Sequence, residues 1–215
     1  MRRKTQRLRD DRFNRHRFRQ RRKARGPKLA AKLLLAALIT FTGWQWGQAG
    51  LIQAKAWLAP ILISRAWTET RTHGINVKPW PWADTWPVAH LSVPSLDIDQ
   101  YVLAGTNGAA LPFGPGHMSG SAEPGDNGTI VIAGHRDTHF DFLPRVLPGT
   151  RVRLETADGR HTTYVVAEKS LVDTRKEDLT LSADAAELLL ITCEPDSAFR
   201  TRGPWRLVVR ATRDR

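Results

Sequence analysis

The chain has 215 residues, a formal net charge of +12 and a single cysteine. Residues 1–32 carry fifteen Lys/Arg and two Asp, so the other 183 residues, with eighteen Lys/Arg and nineteen Asp/Glu, are almost neutral. The body of the protein is therefore not a basic nucleic-acid-binding surface, and one cysteine excludes a disulfide framework within the chain.

The tail leads into a run from Leu33 to Ile52 that holds no ionisable side chain. At about 1.5 Å per helical residue, twenty residues span roughly 30 Å, the thickness of a bilayer's hydrocarbon core. Lys and Arg on one flank hold that end in the cytoplasm, and Trp44 and Trp46 suit the opposite interface. The expectation is a single-pass helix in the inner (plasma) membrane, with the N-terminus inside and the rest outside. Contact of the tail with anionic lipid is a simpler account of its arginines than RNA or DNA binding. Ala54-Lys55-Ala56 has the small-x-small form of a signal-peptide cleavage site, but the apolar run exceeds the about 7–15 residues of a signal's apolar core. Anchored or cleaved, the remainder is exported, where an unpaired thiol stands out as reactive or intermolecular.

Residues 53–87 read as a stalk. Lys55–Trp67 has helical apolar spacing and fits either the membrane interface or the surface of the following domain. Pro79, Pro81 and Pro87 interrupt a segment carrying Trp80, Trp82 and Trp86, which predicts an extended connector, its tryptophans at the membrane surface or in an apolar groove. From residue 88 the texture changes to short apolar runs between turns. Strands are predicted over 88–93, 98–104, 129–133, 151–156, 161–167, 188–193 and 205–211. Asp158-Gly159 marks a hairpin between the fourth and fifth. Ser182–Glu187 reads as a short helix with Ser182 as its N-cap, and Phe140–Val146 is ambiguous. This pattern predicts one all-β domain of about 128 residues, a sandwich or a closed barrel.

Three chemically competent side chains lie at run ends. His135 follows Val131-Ile132-Ala133-Gly134, Cys193 closes Leu188-Leu189-Leu190-Ile191-Thr192, and Arg206 opens the last run. A thiol, an imidazole and a guanidinium are the groups needed to attack an amide carbonyl, protonate the leaving amine and hold the oxyanion. A simple alternative for Cys193 is a small buried hydrophobe at a strand end. His139 competes with His135 as the base, and His135 is preferred because its strand holds it. Arg200 and Arg202 fall in the preceding loop, where solvated charge is the default. His117 and Thr192 are candidate substrate-binding residues, and Asp137 is a candidate to bind substrate or orient the imidazole. No His-Glu-x-x-His or comparable spacing calls for a metal, and no cofactor is expected.

Gly114-Pro115-Gly116-His117, Pro124-Gly125-Asp126-Asn127-Gly128, Ile132-Ala133-Gly134-His135-Arg136-Asp137-Thr138, Leu190-Ile191-Thr192-Cys193 and the Arg206-Leu207-Val208-Val209 run resemble the sortases. The Lys55–Ala59 and Pro79–Val88 segments and the Ala133–Phe140 core look similar to the Gram-negative branch, also called class GN or marine proteobacterial. The resemblance covers about residues 53–211. It implies a closed eight-stranded β-barrel with short helices, preceded by one transmembrane helix. It also implies a cysteine transpeptidase with Cys193, His135 and Arg206 as its catalytic triad. The implied partners are an exported protein bearing a C-terminal Leu-Pro-x-Thr-Gly-like sorting signal and an amine acceptor or water. The expected organisation is a basic cytoplasmic tail (1–32), a transmembrane helix (33–52), an amphipathic segment and linker (53–87) and a catalytic domain (88–215). One departure is notable: that branch continues its cysteine with Tyr-Pro-Phe, whereas this chain has Glu194-Pro195-Asp196, two acids expected to disfavour the thiolate. A different class of function, a non-catalytic membrane-tethered barrel that binds proline-containing peptides, uses the same groove without the thiol.

Overall fold

The computed structural model describes residues 26–194 and 203–214. The basic tail up to residue 25, Asp196, Arg200 and Arg202 lie outside the described residues. The chain divides into two compact units, Met1–Lys55 and Ala56–Arg215.

In the first unit helix α1, Gly26–His73, begins. Its stretch Lys28–Gln48 is long and apolar enough to cross a membrane. Leu33, Leu34, Leu35, Leu38, Ile39 and Phe41 are all exposed, so no described part of the chain covers them. Thr40 and Thr42 each donate a hydroxyl to the carbonyl four residues back, at 2.9 and 2.7 Å, which hides two polar groups that an apolar medium would penalise.

In the second unit α1 turns amphipathic. Ala59, Ile63, Ala66, Trp67 and Thr70 form a buried stripe at helical spacing. Ile63 packs with Leu103 and Ala110, Trp67 lies 6.1 Å from the Tyr101 ring, and Arg71 pairs with Glu155 at 2.8 Å. Of the two sites open to this amphipathic segment, it takes the surface of the folded domain. The connector after His73 has no regular structure, as its prolines require. Trp80 packs edge-on against Phe113 at 5.0 Å, while Trp82 remains exposed.

Eight strands follow: β1 Pro87–Val93, β2 Ile98–Ala104, β3 Gly116–His117, β4 Gly128–Gly134, β5 Arg151–Thr156, β6 His161–Asp173, β7 Ala186–Cys193 and β8 Trp205–Arg213. They close into a barrel in the order β1-β2-β3-β4-β7-β8-β6-β5, with β5 returning to β1. The short helices are 3-10 turns at Pro94–Leu96 and Leu143–Arg145. One apolar cluster fills the interior, drawn from alternate residues such as Leu91, Val93, Ile130, Ile132, Val152, Leu154, Leu188 and Leu190. Phe140, Phe142, Leu143 and Val146 plug it, which resolves the ambiguous 140–146 segment as a turn that ends in the 3-10 helix Leu143–Arg145, not a strand.

Three local expectations are corrected. Ser182–Glu187 is not a helix: Thr129 donates its backbone N–H to the Ser182 carbonyl, and β7 is already formed at Ala186. Pairing with β4 overrides the helical propensity of Ala and Glu. β3 escaped the sequence reading because two residues carry no period. β6 runs six residues beyond the expected 161–167, because residues 168–173 pair with β8 while their side chains stay mostly exposed and show no alternation.

The β2–β3 step leaves no room for a side chain. A Cβ on Gly116 would stand 2.1 Å from the Gly105 carbonyl oxygen, a backbone atom that cannot swing aside. Gly116→Ala is expected to destabilise the barrel by at least about 1–3 kcal/mol in urea denaturation. Gly108→Ala, where an added Cβ meets nothing within 4 Å, should change stability by less than about 0.5 kcal/mol.

Candidate active site

Strand direction brings the three groups singled out above to one end of the barrel. β4 and β7 are parallel, with Gly134 opposite Thr192, so His135 and Cys193 are the next residues on neighbouring strands. β8 is antiparallel to β7 and begins where β7 ends, with Arg206 directly opposite Cys193. Adjacent strands lie about 4.8 Å apart, so the three backbones occupy consecutive positions along one rim.

Each is held locally. After Gly134 the chain turns sharply: Phe140 N–H donates to the His135 carbonyl at 2.9 Å, and the Phe140 ring packs where a Gly134 Cβ would otherwise stand, 2.8 Å away. Phe140 also meets Phe142 edge-on at 5.7 Å, so the turn carrying His135 is rooted in the core. His135 and Cys193 themselves are exposed. Thr192, two per cent exposed, donates its hydroxyl to the Gly134 carbonyl at 2.7 Å. That bond ties β7 to β4 one residue before the thiol and the imidazole, so the Thr192 side chain braces strands rather than facing a groove. Arg206 is half-buried, and its Nη1 donates to the Gly203 and Trp205 carbonyls at 2.8 and 2.9 Å. Its Nε and Nη2 make no hydrogen bond to the described residues.

The start of β8 has a further brace that sequence reasoning missed. Thr174 donates both its N–H and its hydroxyl to the Pro204 carbonyl, at 3.1 and 3.0 Å. Next to it the buried Asp173 carboxylate accepts from Arg175 Nε, Nη2 and backbone N–H at 2.9, 2.7 and 3.1 Å. Those hydrogen bonds hold its pKa down to about 2. The signal available in the sequence was an Asp-Thr-Arg step after an apolar run, the chemistry of an Asx-type turn.

A model of the Sortase domain matches residues 91–214. The chain belongs to the sortase family. It is 34% identical over 122 residues to Sortase D of Bacillus subtilis (55% of this chain, 60% of the relative). It is 31% identical over 111 residues to Sortase A of Listeria monocytogenes (50% and 49%). Among solved structures, Sortase A from Corynebacterium diphtheriae superposes with a TM-score of 0.54 at 30% identity, covering 62% of this chain and 63% of that one. The chain thus spans half to three fifths of the length of these curated relatives.

The remaining candidates of this sortase are not gathered at the rim. His117 is buried, with Nε2 in hydrogen-bond contact with the Ala122 carbonyl and the Ser121 hydroxyl at 2.9 and 3.1 Å. It lines a cavity of about 630 Å³ together with Arg71, Asn76, Asp84 and Arg160, and none of Cys193, His135 or Arg206 borders that space. Asp137 is exposed and makes no hydrogen bond or ion pair to the described residues, so it does not orient the imidazole.

His139 is half-buried. Its carbonyl accepts from Gln100 Nε2 at 2.8 Å. Burial pushes its imidazole below the ordinary histidine range; a hydrogen bond with the Pro112 backbone partly offsets this, and charge on His135 lowers it further. With the folded value depressed, only the unfolded chain takes the proton as pH first drops below about 6.5, so the native state loses stability there. The loss is complete below the folded value. His139→Gln is therefore expected to flatten the rise in melting temperature between pH 5 and 7, measured against wild type in the same buffers.

Proposed function

We propose that this sortase is a membrane-anchored cysteine transpeptidase of the Gram-negative branch. It would lie in the inner membrane with its barrel outside, cleaving a Leu-Pro-x-Thr-Gly-like signal near the C-terminus of an exported protein. The observation that carries the reading is the register at the rim, with Cys193 opposite Arg206 and one step beyond the Gly134–Thr192 pair that leads to His135. The apolar helix Lys28–Gln48 supports the anchor, and the Lys55–Ala59, Pro79–Val88 and Ala133–Phe140 segments support the branch.

In this mechanism the Cys193 thiolate adds to the threonine carbonyl carbon and forms a C–S bond. Arg206 donates hydrogen bonds to the oxyanion that develops, through its Nε and Nη2. The oxyanion collapses, the C–N bond breaks, and His135 imidazolium delivers its proton to the departing amine. The protein is then held as a thioester on Cys193. A second amine, or water, adds to the thioester carbonyl while neutral His135 takes its proton, and the thiolate leaves. An ordinary thiol ionises near pH 8.5, so a neighbouring imidazolium is what makes the thiolate accessible at neutral pH. His135 suits this role better than His139, because it is exposed and follows Gly134, the partner of Thr192 one residue before the thiol, whereas burial disfavours the charged form of His139.

The full chain in detergent, given an exported protein with such a signal and an amine acceptor, tests the reading. Cys193→Ala should abolish transfer, His135→Ala should cost about 10²–10⁴ in rate, and Arg206→Ala about 10²–10³. Undiminished processing by Cys193→Ala would remove the cysteine transpeptidase, whereas peptide binding with no processing by the wild-type chain would leave the barrel as a peptide-binding module.

A further inference from the structure

Two side chains of opposite charge flank the rim at adjacent positions. Arg136 directly follows His135, and Glu194 directly follows Cys193. Because β4 and β7 run parallel in register, these successors also leave the barrel side by side, and Arg136 Nε stands 3.4 Å from Glu194 Oε2. The two side chains are 35% and 27% exposed, so solvent screens the pair only partly. Both ends are fixed. Glu194 N–H donates to the Trp205 carbonyl at 2.9 Å, and Arg136 lies in the turn closed by the Phe140 bond to His135.

We infer that the Arg136–Glu194 pair is a charge-compensating clasp: it ties the segment carrying His135 to the segment carrying Cys193, and each member cancels the other's field at the thiol. The inference deepens the proposed function and rests on it for the role of Cys193. A carboxylate one residue from a thiol disfavours the thiolate, and a guanidinium favours it. Among the described residues, His135 and Arg206 are the other charged groups next to Cys193 along the rim. Among the described residues, the other titratable groups at this rim are Asp137 and His139 beyond β4, and Asp173 and Arg175 at the end of β6, which bond each other. Arg136 and Glu194 act through Cys193 and are positioning residues.

The single cysteine makes the test specific, since iodoacetamide alkylation of the full chain in detergent reports Cys193 alone. The alkylation rate is followed from pH 5 to 10 and its midpoint compared among variants, with melting temperature read in parallel. Glu194→Gln should lower the midpoint by about half a pH unit or more, and Arg136→Gln should raise it by a similar amount. The double variant should return to the wild-type midpoint, and Arg136→Lys should keep it. Single variants that shift the midpoint in the same direction, or do not shift it, overturn the clasp. An unmoved midpoint in Glu194→Gln overturns it even where an Arg136 variant does not fold. The readout uses no substrate, so failure of the transpeptidase reading and failure of the clasp are separable.

Discussion

The parallel pairing of β4 with β7, in a barrel whose other pairs are antiparallel apart from the short β2–β3 step, sets where the candidate catalytic residues stand. Two neighbouring parallel strands must end on the same rim, so β4 and β7 deliver whatever follows them to adjacent positions. Had they been antiparallel, His135 and Cys193 would stand a strand length apart. An antiparallel neighbour on the other side of β7 must start where β7 stops, which brings the first residues of β8 to the same place. Two of the three candidate residues thus arrive at strand ends and the third at a strand beginning, with β7 between β4 and β8.

Register makes that arrangement exact to the residue, since a slip of one would turn every side chain to the other face. Several interactions pin it. The Thr192 hydroxyl reaches the Gly134 carbonyl inside the barrel wall. On the outer face Thr129 bonds Glu187, and Arg210 joins Glu187 to Glu168, so a single polar chain crosses β4, β7, β8 and β6. Thr174 and the Asp173–Arg175 pair then hold the start of β8, and Phe140 holds the turn after β4. The catalytic candidates make few bonds of their own. Their positions are set by neighbours buried or bonded just behind them, which leaves the thiol and imidazole exposed to a substrate.

Much of the barrel was legible in the sequence. β2 and β5 match their apolar runs end to end, and β1, β4, β7 and β8 differ from theirs by at most two residues at either end: β1 and β5 alternate in burial, while β4 and β7 are continuous apolar runs buried on both faces. What was not legible depends on partners. β3 is two residues long and exists only because β2 and β4 flank it. Glu187 reads as a helix former until β4 supplies a parallel neighbour, and the outer half of β6 lacks alternation because its side chains have little to pack against. At the site, the strand-end positions of His135, Cys193 and Arg206 could be read directly, whereas His117 and Thr192 were offered for substrate on their polarity and are occupied internally. The pairing of Glu194 with Arg136 could not be anticipated either, because it requires knowing that two segments 58 residues apart leave the barrel together. The carboxylate next to the thiol is ion-paired with Arg136.

The claim on which all of this converges is that one rim of the barrel performs acyl transfer through sulfur. The most direct measurement is mass mapping of the acid-quenched complex formed between the full chain and an exported protein carrying a Leu-Pro-x-Thr-Gly-like signal. The account predicts the protein's new C-terminal threonine in thioester linkage to Cys193, released by hydroxylamine. Cleavage of the signal with the acyl group on another residue, or with no acyl adduct while Cys193→Ala cleaves equally well, would contradict it.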